Sequence, residues 1–86
     1  KMEKKQIETE IESILKWALA DEKTPVSHEL SFRKLGFDSC DTLYLLTYIE
    51  KHFGISFSDD FFSSEKSVAE LCDFIEQNLQ SKMSSN

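Results

Sequence analysis

Apolar residues recur with helical spacing in three separate stretches of this chain, and no stretch alternates strictly enough to make a strand. In the first, Ile7, Ile11, Ile14, Leu15, Ala18 and Leu19 fall on one stripe, while Glu8, Glu10, Glu12 and Lys16 point outward. This predicts a helix from about residue 4 to 20, closed before Pro25, which cannot continue one. In the second, Leu43, Leu46, Ile49 and Phe53 are spaced for the core with Leu45 and Tyr48 beside them, predicting a helix from Asp38 or Ser39 to about His52, stopped by Gly54. The third opens with Ser67-Val68-Ala69-Glu70, a capping-box pattern, continues through Leu71, Cys72, Ile75 and Leu79, and should end near Leu79 or Gln80. A short helical turn is expected over Asp59 to Ser63. The fold class is all-α, a four-helix bundle with a long loop between helices one and two and a short third helix. Residues 1–80 form one domain, and the polar run 81–86 is expected to fray.

The connection from Asp21 to Phe37 has no sustained period, yet it carries Val26, Leu30, Phe32, Leu35 and Phe37. Such a loop must lay apolar side chains onto the helices, so it is ordered and a candidate for function.

Eighty-six residues with 40% apolar content suffice for one core but leave no room for a deep cleft, which favours a binding or carrying module over an enzyme. The net charge of -6 is uneven: residues 1–37 hold seven basic and seven acidic side chains, residues 38–86 three basic and nine acidic. That surface repels nucleic-acid phosphate and anionic lipid and suits partners that bring Lys and Arg. Cys40 and Cys72 are far apart, and neither they nor His28 and His52 stand at a zinc-site spacing, so no metal is expected. Neither histidine has an acid or nucleophile at a readable spacing. No stretch reads as a secretory signal or a membrane span, and a reduced, cytoplasmic, monomeric protein is the expectation.

The residues best placed for chemistry are in Leu35-Gly36-Phe37-Asp38-Ser39, which sets a hydroxyl on the first turn of helix two, behind a glycine and a carboxylate able to cap. An isolated Asp-Ser pair reads first as a cap. A phosphate ester on Ser39 is also favoured there, because a helix start offers unpaired N–H groups and the positive end of the dipole. Cys40 invites a reading as an activated thiol, but Asp38 and Asp41 oppose a thiolate, and a small apolar contact residue is the simpler account.

The joint register of Gly36-Phe37-Asp38-Ser39, then Phe53-Gly54-Ile55-Ser56-Phe57, then Ser67-Val68-Ala69-Glu70-Leu71 resembles the acyl carrier protein family, which includes peptidyl carrier domains, over nearly the whole chain. The resemblance implies a bundle of acyl-carrier type with 4'-phosphopantetheine attached covalently to Ser39, next to the motif residue Asp38. The cargo would ride as a thioester, and the partners would be a phosphopantetheinyl transferase and the enzymes that load and process an acyl or aminoacyl group. It also makes helix two the main docking surface, here with Cys40, Asp41, Tyr44, Leu45, Asp59 and Asp60 as docking candidates, joined by Glu50. Cys40 stands where Leu is usual, Tyr44 where bacterial fatty-acid carriers place an acid, Arg33 and Lys34 where such carriers often have acids, and Ser58 where a proline commonly opens the next turn. These departures favour a discrete carrier in a specialised fatty-acid or polyketide-type pathway. The alternatives are an aminoacyl or peptidyl carrier and, from another class, a helical adaptor without a prosthetic group. A small hydrolase ranks last because nothing pairs an oxyanion site with a pocket. The cargo itself is expected to shelter beside the apolar side of helix two, around Phe61 and Phe62.

Overall fold

The computed structural model describes residues 2–84, with side chains through Ser81. Four α-helices follow one another: α1 Lys4–Leu19, α2 Phe32–Leu35, α3 Ser39–Phe53 and α4 Val68–Ser84, with a 3-10 turn at Asp59–Phe61 between the last two. The helix boundaries expected for the first two long helices are met within a residue. The third overshoots its expected end by several residues, with α4 running to Ser84, while 85 and 86 lie outside the described residues. The short turn appears as a three-residue 3-10 helix, and α2 is an additional element inside the long loop.

Helix α1 buries Ile7, Ile11 and Leu15 and packs against α4, which buries Leu71, Cys72 and Ile75 in the same core. Its end is set at Ala20: the Ala20 N–H donates to the carbonyls of Lys16 and Trp17, and the left-handed φ of 56° turns the chain so that the Asp21 N–H also reaches the Lys16 carbonyl, at 3.0 Å. Ala18 stays exposed and Ile14 is half-buried, so the buried stripe is narrower than its sequence suggests.

Phe32, on the short α2, is fully buried, and Phe37 lies edge-on to it at 6.4 Å. The loop is held to the start of α4 by backbone bonds: the Phe32 N–H donates to the Lys66 carbonyl at 2.9 Å, the Arg33 N–H to Ser64 at 2.8 Å, and the Ala69 N–H to His28 at 2.8 Å. Ser31 and Ser67 form an isolated antiparallel bridge. The Ser31 hydroxyl accepts from the Lys34 N–H and starts α2, which Gly36 ends at φ 113°, a left-handed conformation that a side chain strains. Ser67 and Glu70 make the expected capping box, with the Ser67 N–H on the Glu70 carboxylate at 2.8 Å.

The phase of α3 differs from the sequence reading. The helix buries Thr42, Leu45, Leu46 and Ile49, a run of i, i+3, i+4, i+7, while Leu43 is half exposed. Leu45 is 7% exposed, so it is a core residue and not part of a docking surface, and Leu43 takes the outward place. The cause is Thr42: its methyl side turns to the core while its hydroxyl is satisfied by the Asp38 carbonyl at 2.8 Å, so a polar residue fills a buried position. Leu45→Ala is therefore expected to cost about 2 kcal/mol or more in urea unfolding, and Leu43→Ala about 0.5 kcal/mol or less.

Candidate functional site

Ser39 is the first residue of α3 and is exposed. Asp38 caps the helix, accepting from the Asp41 N–H at 2.7 Å, and the Asp41 carboxylate accepts in turn from the Asp38 N–H at 3.2 Å. This reciprocal box is made by the side chains on either side of Ser39, which leaves the serine hydroxyl out of the capping. Gly36 and Phe37 bring the chain into the helix, with Phe37 buried as the anchor and Gly36 supplying the turn. The first-turn N–H groups of Ser39 and Cys40 have no acceptor within the helix, as at any helix start, and they lie at the positive end of a 15-residue dipole.

Of the other candidates, Cys40 and Asp41 are exposed on the same first turn, and Tyr44 follows one turn on at 73% exposure. Asp59 and Asp60 are exposed on the 3-10 turn, a separate element. Glu50 is half-buried and its carboxylate accepts from the Phe57 N–H at 2.7 Å, so it fastens the chain after α3 instead of offering an acid to a partner. Phe61 is buried in a cluster with Phe57, stacked at 5.0 Å, and Phe74 at 4.9 Å. Phe62 lies edge-on to Phe57. The rings on that side pack against one another.

An open groove lies on the other side, between the C-terminal half of α1 and α3. It measures about 400 Å³ and is lined by Ile14, Trp17, Phe37, Leu45, Tyr44 and Tyr48, with Asp41 and Gly36 at the end nearest Ser39.

The two histidines have partners that only the fold supplies. His28 Nε2 meets the Glu12 carboxylate at 2.6 Å, and His52 Nε2 meets Glu10 at 2.8 Å, tying the loop and the end of α3 to α1. Among the described residues, no three His, Cys, Asp or Glu side chains gather as metal ligands.

The cysteines differ in kind. Cys40 is exposed, whereas Cys72 is buried in α4, where burial, reinforced by the nearby carboxylates of Glu8 and Asp73, pushes its thiol up to about 12. Below that pH Cys72 stays protonated and shielded. Native protein at pH 8 is expected to take up one equivalent of an alkylating reagent, at Cys40, with the second consumed only after denaturation; rapid modification of both would contradict the packing.

An exposed serine on a helix start whose caps come from its neighbours, carried by a domain of helices with an open groove in place of a cleft, defines a carrier class: a small domain that presents a tethered group to other proteins. Residues 5–75 match the family model described as the phosphopantetheine attachment site. An acyl carrier protein of Porphyromonas gingivalis is 37% identical over 76 residues, covering 87% of this chain and 97% of the relative. One from Coprothermobacter proteolyticus is 34% identical over 82 residues, 94% of this chain and all of the relative. The crystal structure of an acyl carrier protein from Thermotoga maritima superposes with a TM-score of 0.75 at 30% identity, covering 93% of this chain and 94% of that one. The chain belongs to the acyl carrier protein family. It is a carrier rather than an enzyme, and its cofactor is covalent 4'-phosphopantetheine. The geometry at the head of α3 fits that group, because a phosphate ester there meets two unpaired N–H donors and the positive helix end, and the Ser39 hydroxyl takes no part in the Asp38–Asp41 cap. Acyl carrier proteins interact with phosphopantetheinyl transferases and with biosynthetic enzymes. No helix among the described residues is long and apolar enough to cross a membrane.

Proposed function

We propose that Ser39 carries the phosphopantetheine and that the protein shuttles acyl intermediates as thioesters, in the cytoplasm, in a specialised fatty-acid or polyketide-type pathway. The observation that carries the reading is the exposed Ser39 hydroxyl on the first turn of α3, left unused by the Asp38–Asp41 cap. In loading, Ser39 Oγ attacks the coenzyme A phosphate bonded to pantetheine, the phosphoanhydride bond breaks, adenosine 3',5'-bisphosphate leaves, and the hydroxyl proton passes to the transferase. The bound arm then supplies a thiol on which cargo is held as a thioester. The domain contributes a rigid mount and a docking face, and the tether gives each partner site a high effective concentration of cargo.

Cys40, Asp41, Tyr44, Asp59 and Asp60 form the docking surface in this reading. A carrier with an exposed Tyr44 one turn beyond its serine and with Arg33 and Lys34 exposed on α2 meets partners through a face unlike an all-acidic one. That supports dedicated partner enzymes. The same Tyr44 is what favours the second reading, an aminoacyl or peptidyl carrier.

Intact mass after incubation with coenzyme A and a broad-specificity phosphopantetheinyl transferase tests the modification. The loaded protein is then offered malonyl-CoA with a malonyl transferase, or an amino acid with ATP and an adenylating enzyme. Malonyl uptake supports the acyl reading, aminoacyl uptake alone supports the second, and a folded sample that never gains phosphopantetheine points to the adaptor.

A further inference from the structure

We infer that Cys40 is a redox site paired with the thiol of the protein's own cofactor: given a small-molecule disulfide as oxidant, it closes the phosphopantetheine arm into an intramolecular disulfide that reductant reopens. The inference rests on Ser39 as the point of attachment.

Position is the first argument. Cys40 directly follows Ser39 on the first turn of α3, and it is a free, exposed thiol. At about 100° per residue it points roughly 170° around the helix from the buried face of Thr42, Leu45, Leu46 and Ile49, so packing within the domain does not account for it. An uncovered thiol therefore stands next to the residue from which a second thiol is hung.

Reach is the second. A disulfide needs its sulfurs about 2.05 Å apart with a torsion near 90°. A flexible arm meets both demands by bending back, and closing a long loop costs little more than closing a short one. The tether gives Cys40 an effective concentration of arm thiol in about the millimolar range. Two chains meeting arm to arm lack that advantage, and each brings a net charge of -6 to the encounter.

Exclusivity is the third. Cys72 is the other cysteine of the sequence, and it is fully buried with its thiol held protonated, so it stays out of the exchange.

The chemistry balances without a further reagent. The Cys40 thiolate attacks one sulfur of the oxidant RSSR, a Cys40–SR bond forms, and the departing RS⁻ takes up the proton that Cys40 gave. The arm thiolate then attacks Cys40 Sγ and displaces the second RS⁻, which takes the arm's proton. Two thiols are oxidised by two electrons, and RSSR is reduced to two RSH. While the arm is closed it has no thiol for cargo, and the surrounding thiol–disulfide balance sets how much carrier is in service. Reversible, redox-sensing disulfides are the kind found in reduced compartments.

To test this, protein with phosphopantetheine verified on Ser39 by mass is equilibrated with oxidised and reduced glutathione, quenched with acid, alkylated and analysed without reductant. The expected product is a monomer lighter by two hydrogens, with the loss confined to tryptic peptide 35–51, which holds Ser39 and Cys40 together. At about 0.1 mM reduced glutathione, a tenth of the effective concentration, the closed form should outnumber the glutathione adduct by about tenfold. Dithiothreitol should return both thiols to maleimide labelling. Loaded Cys40→Ser should give the glutathione adduct of the arm instead. Loaded wild-type protein that yields only adducts or arm-to-arm dimers, as the variant does, overturns the inference and leaves the Ser39 reading intact. A folded sample that gains no phosphopantetheine removes both.

Discussion

Ser39→Ala is expected to lose all uptake of phosphopantetheine while its urea midpoint stays near that of the parent protein. The reason is that the serine does no structural work: Asp38 and Asp41 cap each other around it, and the residue itself is exposed. Alanine is the strongest helix former, so the stability change should fall within about 0.5 kcal/mol. Mass spectrometry reads the first quantity and circular dichroism in urea the second. Loss of loading accompanied by a collapse of stability would mean that the hydroxyl is structural after all. Loading retained by the variant would move the attachment to another residue.

The second large effect is on folding. Phe32→Ala is expected to cost about 3 to 5 kcal/mol, because the ring is fully buried and its removal leaves a cavity in the core. Domains of this size hold only about 5 to 15 kcal/mol in total, so the variant should unfold at much lower urea, or be partly unfolded in buffer. The backbone of Phe32 is also the point where the long loop bonds to Lys66 ahead of α4. Losing the ring therefore loosens the approach to α3 and with it the presentation of Ser39. A midpoint within error of the parent would show that the loop does not belong to the core.

These expectations draw unevenly on sequence and structure. The start of α3 at Asp38-Ser39, the stop at Gly54 and the Ser67–Glu70 box were legible because each depends on a local residue type with a local job. The short α2 was not, since four residues are too few to display a period. The exchange of Leu43 for Leu45 had a different origin: four leucine, isoleucine and phenylalanine positions matched one helical phase, and the true phase placed a threonine in the core, where only its bond to the Asp38 carbonyl makes it tolerable. Helix α4 runs on past Leu79 through Gln80, Ser81 and Lys82, polar residues that extend a helix without an apolar mark of their own.

At the site, Asp38 is legible in the sequence as a cap, whereas the reciprocal bond of Asp41 is signalled only by the Asp-x-x-Asp spacing. Its carboxylate remains exposed, so capping and docking are compatible at that residue. Glu50 was lost as a docking acid because its partner, the Phe57 N–H, lies seven residues on, beyond a turn. The pairs His28–Glu12 and His52–Glu10 span 16 and 42 residues and exist only once α1 meets its neighbours. The groove is of the same kind: Trp17 and Tyr48 come together through packing, and no spacing in the chain announces them.

The most direct test of the account is fragment mass mapping of the wild-type protein after incubation with coenzyme A and a phosphopantetheinyl transferase. The account predicts one phosphopantetheine per chain, confined to the peptide containing Ser39 and located on that residue by fragmentation. A folded protein that gains nothing, or that carries the group on Cys40 or elsewhere, would contradict it.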